Sequence, residues 1–516
     1  MDKVNTRLNR FEIIFLIVSA VAIMTVVTTS SPIYPFNVWD DTNVYFTLGR
    51  GILKGFVPYR DLYEQKGPVF LFLYALAALI SRTDFTGVWV LECAAASLFS
   101  LFSWKTVKLF FDKVPPVTIG FVPVLLSAVY NVGMFNFGGS SEEFCFPLLS
   151  VVFYIVLKMI RNGKVCLPGK KDALVCGVIT GILLWTKYTF LGFMVTVVFY
   201  IIFRAVRIRE FKNLLEDILF FLIGFFVVAV PVFVYYGVNG ALSCMFESYF
   251  YNNIFNYYSE AEYSGVFANP VIRAIVIPFF AIWFTCRDYL DYTVVLLLSL
   301  LGLFAVDKKY RPEVISFSLL SFVVFLFFLF TRPTFIYYYG YILMFYSSFM
   351  TVFLVKLTVL FKQKYKRNNG IEKIVVIIIA VFVTFDILIK CKNLYLLKID
   401  KDEMAQFKFA RIINEDEDPK IFTYDIIDGG FYLASGVDPS NRYFTTMNFI
   451  ENNREAVEEQ ERLIEEGYFD YIITIGDDYG WDNYELVTES VDPCIDYTEE
   501  VIFYRYNLYQ RTDANV

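Results

Sequence analysis

The chain has 516 residues, of which 57% are apolar and 19% aromatic; soluble domains sit nearer about 45–50% apolar, so an ordinary water-soluble globule is excluded. There is no histidine, and the eight cysteines form no CxxC pair, which removes the usual zinc sites and Ser-His-Asp arrangements and leaves acid–base work to Asp, Glu, Lys or Tyr. The net charge of −7 divides into a basic body and an acidic tail: residues 391–516 carry 11 Lys and Arg against 28 Asp and Glu, and residues 1–390 are net +10. A tail this acidic argues against nucleic acid as a partner.

The first apolar run, "FEIIFLIVSAVAIMTVVTT", is long enough to cross a bilayer. The "SSPIYPF" after it lacks a small-x-small cleavage site, so it is expected to be a retained anchor. Cationic loops mark the cytoplasmic side, here the start "MDKVNTRLNR" and the clusters at 104–113, 158–172, 204–213 and 362–369. With the N-terminus cytoplasmic, the first span (about 11–29) delivers a first outer loop, residues 30–84. Its "PVFLFLYALAALIS" is short for a span and is expected to lie as a helix on the outer surface. "FTGVWVLECAAASLFSLFSW" then returns inward. The next span exposes "NFGGSSEEF", and two short helices around "WTKYTF" go out and back. Residues 271–306 look like two spans where the charge rule wants an odd number. The expectation is an α-helical polytopic protein of the plasma membrane with about 11–13 transmembrane helices.

After the last span the composition changes. "KIFTYDI" and "YFDYIITIGD" read as strands, and "NFIENNREAVEEQERLIEEG" between them as an amphipathic helix ending on Gly. Strand–helix–strand predicts a small C-terminal extracytoplasmic α/β domain over 391–516, behind a membrane body over 1–390. The "YDIIDGGFY" glycines read as a turn.

This topology gathers charge at one level on the outer face. Asp40, Asp41, Arg60, Asp61, Glu64 and Lys66 come from the first outer loop, Glu142 and Glu143 from the second, and Lys187 from the tip of the short helix pair. Taken singly, each acid reads most simply as solvated surface; the convergence makes the group a candidate site. Glycosyl transfer suits it. A carboxylate takes a proton from the acceptor or holds a metal, and cations meet the charge of a departing phosphate.

"DTNVYFTLGRGILKGFVPYRDLYEQKGP" resembles the first outer loop of bacterial GT-C glycosyltransferases related to protein O-mannosyltransferases and lipid A aminoarabinose transferases. The shared features are an Asp after the first span, a G-x-x-[IML]-L-x-G helix, a PYRD that contains Tyr59 and Asp61, and a K-[GP]-P. "SEEF", "GVITGILLWTK" and "RPTFIYYYGYIL" continue the resemblance in order. It implies that Asp41 is the catalytic first-loop acid, with Asp40 a helper or the cap of the following helix. Glu143 is the match to the second-loop acid, with Glu142 close behind. Lys66, Lys187 and, more weakly, Arg60 would face the donor phosphate. Tyr338 and Tyr339 stand where relatives often hold a His-Tyr pair, a role that a chain without histidine puts in doubt; a belt of aromatics at the membrane interface explains them more simply.

The implied activity is inverting transfer of a sugar from a polyprenyl-phosphate-linked donor to a protein, lipid or polymer acceptor on the outer face. Some relatives use a divalent cation; Mg or Mn on Asp41 and Glu143 is the arrangement this chain would offer. A cell-envelope polysaccharide transporter, polymerase or ligase, or a non-catalytic relative, is the competing class. A transporter would carry its charges near the bilayer midplane in broken helices, whereas these acids lie at the surface.

Overall fold

A computed structural model describes residues 6–512, apart from 112, 133–134, 136, 164–166, most of 257–289, 329–345, 365–369, 447–452, 477–478 and 496–500. Helix α1 (Arg10–Val27) opens on Asn9, whose side chain accepts the Glu12 N–H at 2.9 Å while Glu12 Oε2 accepts the Asn9 N–H at 2.8 Å. This reciprocal cap satisfies two of the N–H groups that a helix start leaves unpaired. The chain then forms α2 (Asp40–Leu53) and α3 (Pro68–Ile80), which pack against each other, with α3 also against α4 (Thr86–Phe110). Pro68 sits at the start of α3, where its missing N–H costs nothing.

The body continues with α5 (Phe121–Tyr130), α6 (Ser141–Arg161), α7 (Lys170–Leu184), α8 (Leu191–Ile208), α9 (Phe211–Val238) and the short α10 (Leu242–Phe246), which runs into a π-helical turn over Glu247–Asn256. Then come α11 (Leu290–Ala305), α12 (Arg311–Phe328), α13 (Ser348–Lys364) and α14 (Gly370–Phe385). Among the described residues, six helices are long and apolar enough to cross a bilayer, or seven if the bent helix over 372–398 counts as one. Three shorter apolar helices lie over 68–80, 116–130 and 292–305. Most of 271–289, the first part of the stretch expected to hold two spans, falls outside the described residues, as do Tyr338 and Tyr339. Helix α6 is buried along nearly its whole length, whereas α9 presents Leu215, Leu219, Leu222, Phe226, Val227 and Val230 outward. Apolar exposure this continuous suits lipid and not water. The protein is a multi-pass membrane protein.

The C-terminal unit holds a four-stranded sheet in the order β1-β2-β4-β3, with β1 (Ile421–Thr423), β2 (Tyr471–Ile475), β3 (Tyr484–Ile495) and β4 (Val501–Arg511). Strands β1 and β2 are parallel, as their connection through the helix Arg454–Glu465 requires, and β4 is antiparallel to both β2 and β3. The β3–β4 hairpin is not anticipated by sequence alone. A proline is unfavourable within a paired strand, and β3 holds Pro493 because it is an edge strand, where proline is tolerated.

This unit sits on α2 and the loop beyond it, and shares one hydrophobic core with them: Phe36, Val44 and Tyr45 belong to the same cluster as Phe409, Phe431 and Tyr432. Polar ties flank that core. Arg50 donates to the Tyr432 carbonyl at 3.1 Å, Lys54 pairs with Asp438 at 2.6 Å, and the Tyr63 N–H donates to the Arg442 carbonyl at 2.9 Å.

Candidate active site

Helix α2 begins at Asp40, with Trp39 as its cap residue and no side chain closing the end. Asp40 is therefore the first helical residue and not the cap; both acids occupy the first turn, where the exposed N–H groups favour negative charge. One turn on from Asp41, Tyr45 donates its hydroxyl to Asp41 Oδ2 at 2.9 Å, the contact that four-residue spacing on a helix allows.

Lys66 is fixed by its neighbours. The Gly67 N–H donates to the Thr186 carbonyl at 3.2 Å and the Val69 N–H to the Trp185 carbonyl at 2.8 Å. A side chain at Gly67 would drive into that Trp185 carbonyl, so only glycine permits this approach. Tyr59 closes the loop from the other side, in a left-handed conformation (φ +70°), and its hydroxyl donates to the Lys66 carbonyl at 2.6 Å. Docking the loop on Trp185 and Thr186 brings Lys66 within electrostatic reach of Lys187. The Lys66 ammonium lies 5.7 Å from the centre of the Tyr45 ring, and Lys187 is ion-paired with Glu142.

The second loop docks on the first through the Thr42 hydroxyl, which donates to the Gly138 carbonyl at 2.5 Å, and the Tyr74 hydroxyl, which donates to the Gly139 carbonyl at 2.6 Å. Ser140 caps α6 by accepting the Glu143 N–H at 3.2 Å. Successive helical residues point about 100° apart, and the two glutamates diverge accordingly. Glu142 faces Lys187, with Lys66 in reach. Glu143 accepts the Gly139 N–H at 3.0 Å and faces Glu92 of α4, a buried acid to which the Thr28 hydroxyl donates at 3.1 Å.

Arg60 and Asp61 stand apart from this group. They pair with each other at 2.7 Å, Arg60 also donates to the Asn239 carbonyl at 2.7 Å, and Asp61 accepts the Val57 N–H at 2.7 Å. The Arg60 hydrogen bond holds the Asp61 carboxyl below the usual range. The pair shapes the loop at its exposed turn.

A third carboxyl reaches α2 from the C-terminal unit. Asp428 is fully buried, accepts the Thr47 hydroxyl at 2.6 Å and accepts the Gly430 N–H at 3.1 Å. Asp428, Gly429 and Gly430 are all left-handed, and a side chain at Gly430 would strike the Phe36 ring, so this turn fits α2 only with glycine there. Burial, then Asp41, then Asp428 push the Asp40 carboxyl up to about 8. At neutral pH one proton is thus retained beside Asp41. Burial likewise pushes Asp428 up to about 6 and Glu64 up to about 7.

A divalent cation shared by Asp41 and Glu143 does not fit these residues. Asp41 is bonded to Tyr45, and Glu143 is turned toward Glu92 and Gly139. Among the described residues, no three acids or cysteines are grouped to hold a metal.

Sequence alone missed Tyr45, Glu92 and Asp428. The signals were a tyrosine four residues after Asp41, an acid two turns into the second long apolar helix, and an acid before paired glycines.

Residues 65–235 match the sequence model of the dolichyl-phosphate-mannose-protein mannosyltransferase family. Two crystal structures of ArnT from Cupriavidus metallidurans share the fold. The form bound to undecaprenyl phosphate is 12% identical, with a TM-score of 0.58 over 97% of this chain and 98% of that one. The apo form is 12% identical, with a TM-score of 0.56 over 96% and 97%. A comparison with curated proteins found no match. The resemblance read from the first loop therefore extends to the architecture, and the chain carries the fold of the GT-C membrane glycosyltransferases.

Proposed function

We propose that the protein transfers a sugar from a polyprenyl-phosphate-linked donor to an acceptor at the outer face of the membrane. The observation that carries this reading is the convergence of Asp41, Tyr45, Lys66, Lys187 and Glu142 from three separate segments. It sets the Asp41–Tyr45 pair against Lys66, which lies over the Tyr45 ring, and Lys66 within electrostatic reach of Lys187. In this reading Asp41 takes the proton of the acceptor hydroxyl as that oxygen attacks the anomeric carbon. Attack comes from the face opposite the phosphate, so the anomeric configuration inverts. The bond from anomeric carbon to phosphate oxygen breaks, and Lys66 and Lys187 receive the charge left on the lipid phosphate. Tyr45 orients Asp41 through its hydroxyl. Glu142 holds Lys187 in place and, with Asp41, frames the acceptor side. Asp40 holds its proton at neutral pH and adds no second charge beside the reacting groups. The N-terminus is cytoplasmic, and the C-terminal unit lies outside, against the site.

The test supplies the protein, in proteoliposomes with a cell-envelope extract as acceptor source, with a panel of polyprenyl-phosphate-linked pentoses and hexoses. Free polyprenyl phosphate appearing with a glycosylated product supports the reading. No release from any donor by intact protein contradicts it.

A further inference from the structure

The loop that carries Lys66 contains an acid without a task in the reaction just described. Glu64 is 2% exposed. Its Oε1 accepts two backbone N–H groups, from Gln65 at 2.7 Å and Lys66 at 3.2 Å. Its Oε2 is closed to solvent and has no hydrogen-bond partner among the described residues. Buried polar atoms without partners are rare and call for a physical reason. Because Oε1 already accepts twice, the proton of an uncharged Glu64 resides on Oε2, which makes that oxygen a donor.

The surroundings favour the uncharged form. The charged and titratable groups facing Glu64 are Lys66, Tyr59 and Tyr63 of its own loop, and Asp41 and Tyr45 of α2. Burial acts most strongly and raises the carboxyl; Lys66 and the two backbone N–H groups oppose it, and Asp41 adds to it, leaving the group at about 7. The loop cannot easily move the carboxyl elsewhere, since Gly67 is wedged against Trp185 and Asn253 donates to the Gln65 carbonyl at 2.7 Å.

We propose that Glu64 completes the phosphate grip begun by Lys66: when a polyprenyl phosphate enters and displaces the side chains now closing Oε2 from solvent, uncharged Glu64 donates its Oε2 hydrogen to a phosphate oxygen, and once ionised it repels that oxygen. This rests on the phosphate role given to Lys66 above. The interaction is a hydrogen bond, with the proton staying on Glu64 and no bond broken. As pH rises through about 7 the donor becomes an anion, so the lipid carrier is held on the acid side and let go on the alkaline side.

The test measures binding of undecaprenyl phosphate to the full-length protein in nanodiscs between pH 6 and 8, for wild type, Glu64→Gln and Glu64→Ala. The phosphate of the lipid titrates identically in all three series, so differences between proteins isolate Glu64. Wild type is expected to lose about tenfold more affinity than Glu64→Gln across this range, since the uncharged fraction falls about that much over two pH units around its midpoint. Glu64→Gln, a neutral donor of similar shape, keeps its grip at pH 8, and Glu64→Ala binds weakly throughout. Parallel curves for wild type and Glu64→Gln overturn the role of Glu64 alone; absence of binding by wild type at every pH overturns the phosphate reading with it. Infrared difference spectra of wild type on lipid binding at pH 6.5 need no variant. A neutral carboxyl band that moves to lower frequency supports the proposal, and its absence overturns it.

Discussion

Two acidic pairs open two helices, and the same local rule places both. Asp40–Asp41 starts α2 and Glu142–Glu143 starts α6, each in the first turn, where the helix end favours negative charge. What surrounds them separates their chemistry. At α2, burial, with Asp41 and the third acid Asp428 adding to it, leaves a proton on Asp40. At α6 the pair is split by helix rotation: Glu142 meets a lysine and Glu143 meets a second buried acid. An acidic doublet in a sequence therefore does not name the reactive member; the elements packed beyond each side chain do.

The largest expected effect is at α2. Asp41→Asn keeps the shape but removes the proposed proton acceptor, and transfer should fall by about 100- to 10,000-fold with thermal unfolding unchanged. At α6 the two glutamates should separate. Glu142→Gln leaves Lys187 buried without its counter-charge and should cost about 3 kcal/mol of stability, read by thermal unfolding in detergent. Glu143→Gln keeps the shape and an oxygen that can accept the Gly139 N–H, and should change stability by about 1 kcal/mol or less. Equal losses at the two positions would erase the contrast drawn here.

Smaller effects sharpen the link between α2 and the C-terminal unit. Thr47→Val takes a donor from buried Asp428 and should cost about 1–2 kcal/mol, with proteolysis of the C-terminal unit as the readout. Asp428 also imposes a pH dependence. Its carboxyl holds its proton up to about 6 in the folded protein, against about 3.9 in an unfolded chain. The folded state thus binds more protons in that window, and stability falls as pH rises from about 4 to 6. Asp428→Asn should flatten that part of the melting-temperature curve. Arg60→Ala, at the exposed turn, should change stability by about 0.5 kcal/mol or less.

Much of this was legible in the sequence because it depends on local pattern. Apolar runs marked the membrane helices, the short "PVFLFLYALAALIS" run marked α3, and the first-loop motif named Asp41 and Lys66, which the fold sets on either side of Tyr45. The acids at 142 and 143 were equally visible, yet their divergence is set by Lys187 and Glu92, which lie 45 and 51 residues away along the chain. Arg60 looked like a phosphate ligand because it is basic, and it is absorbed by its own neighbour, Asp61. Asp428 lay in a stretch that read as a simple turn; only its packing against Phe36 and Thr47, nearly 400 residues earlier, brings it near the site. The β3–β4 hairpin was hidden because its edge strand tolerates Pro493. Contacts between distant segments carry no mark in the periodicity of either one.

The proposed reaction turns on Asp41 as the group that drives transfer from a lipid phosphate. Its most direct test is the rate of polyprenyl phosphate release from a labelled lipid-linked sugar in matched proteoliposomes of wild type and Asp41→Asn. Release by wild type and a loss of at least about 100-fold in Asp41→Asn, both proteins equally folded, is the predicted result. Equal release from the two would contradict it.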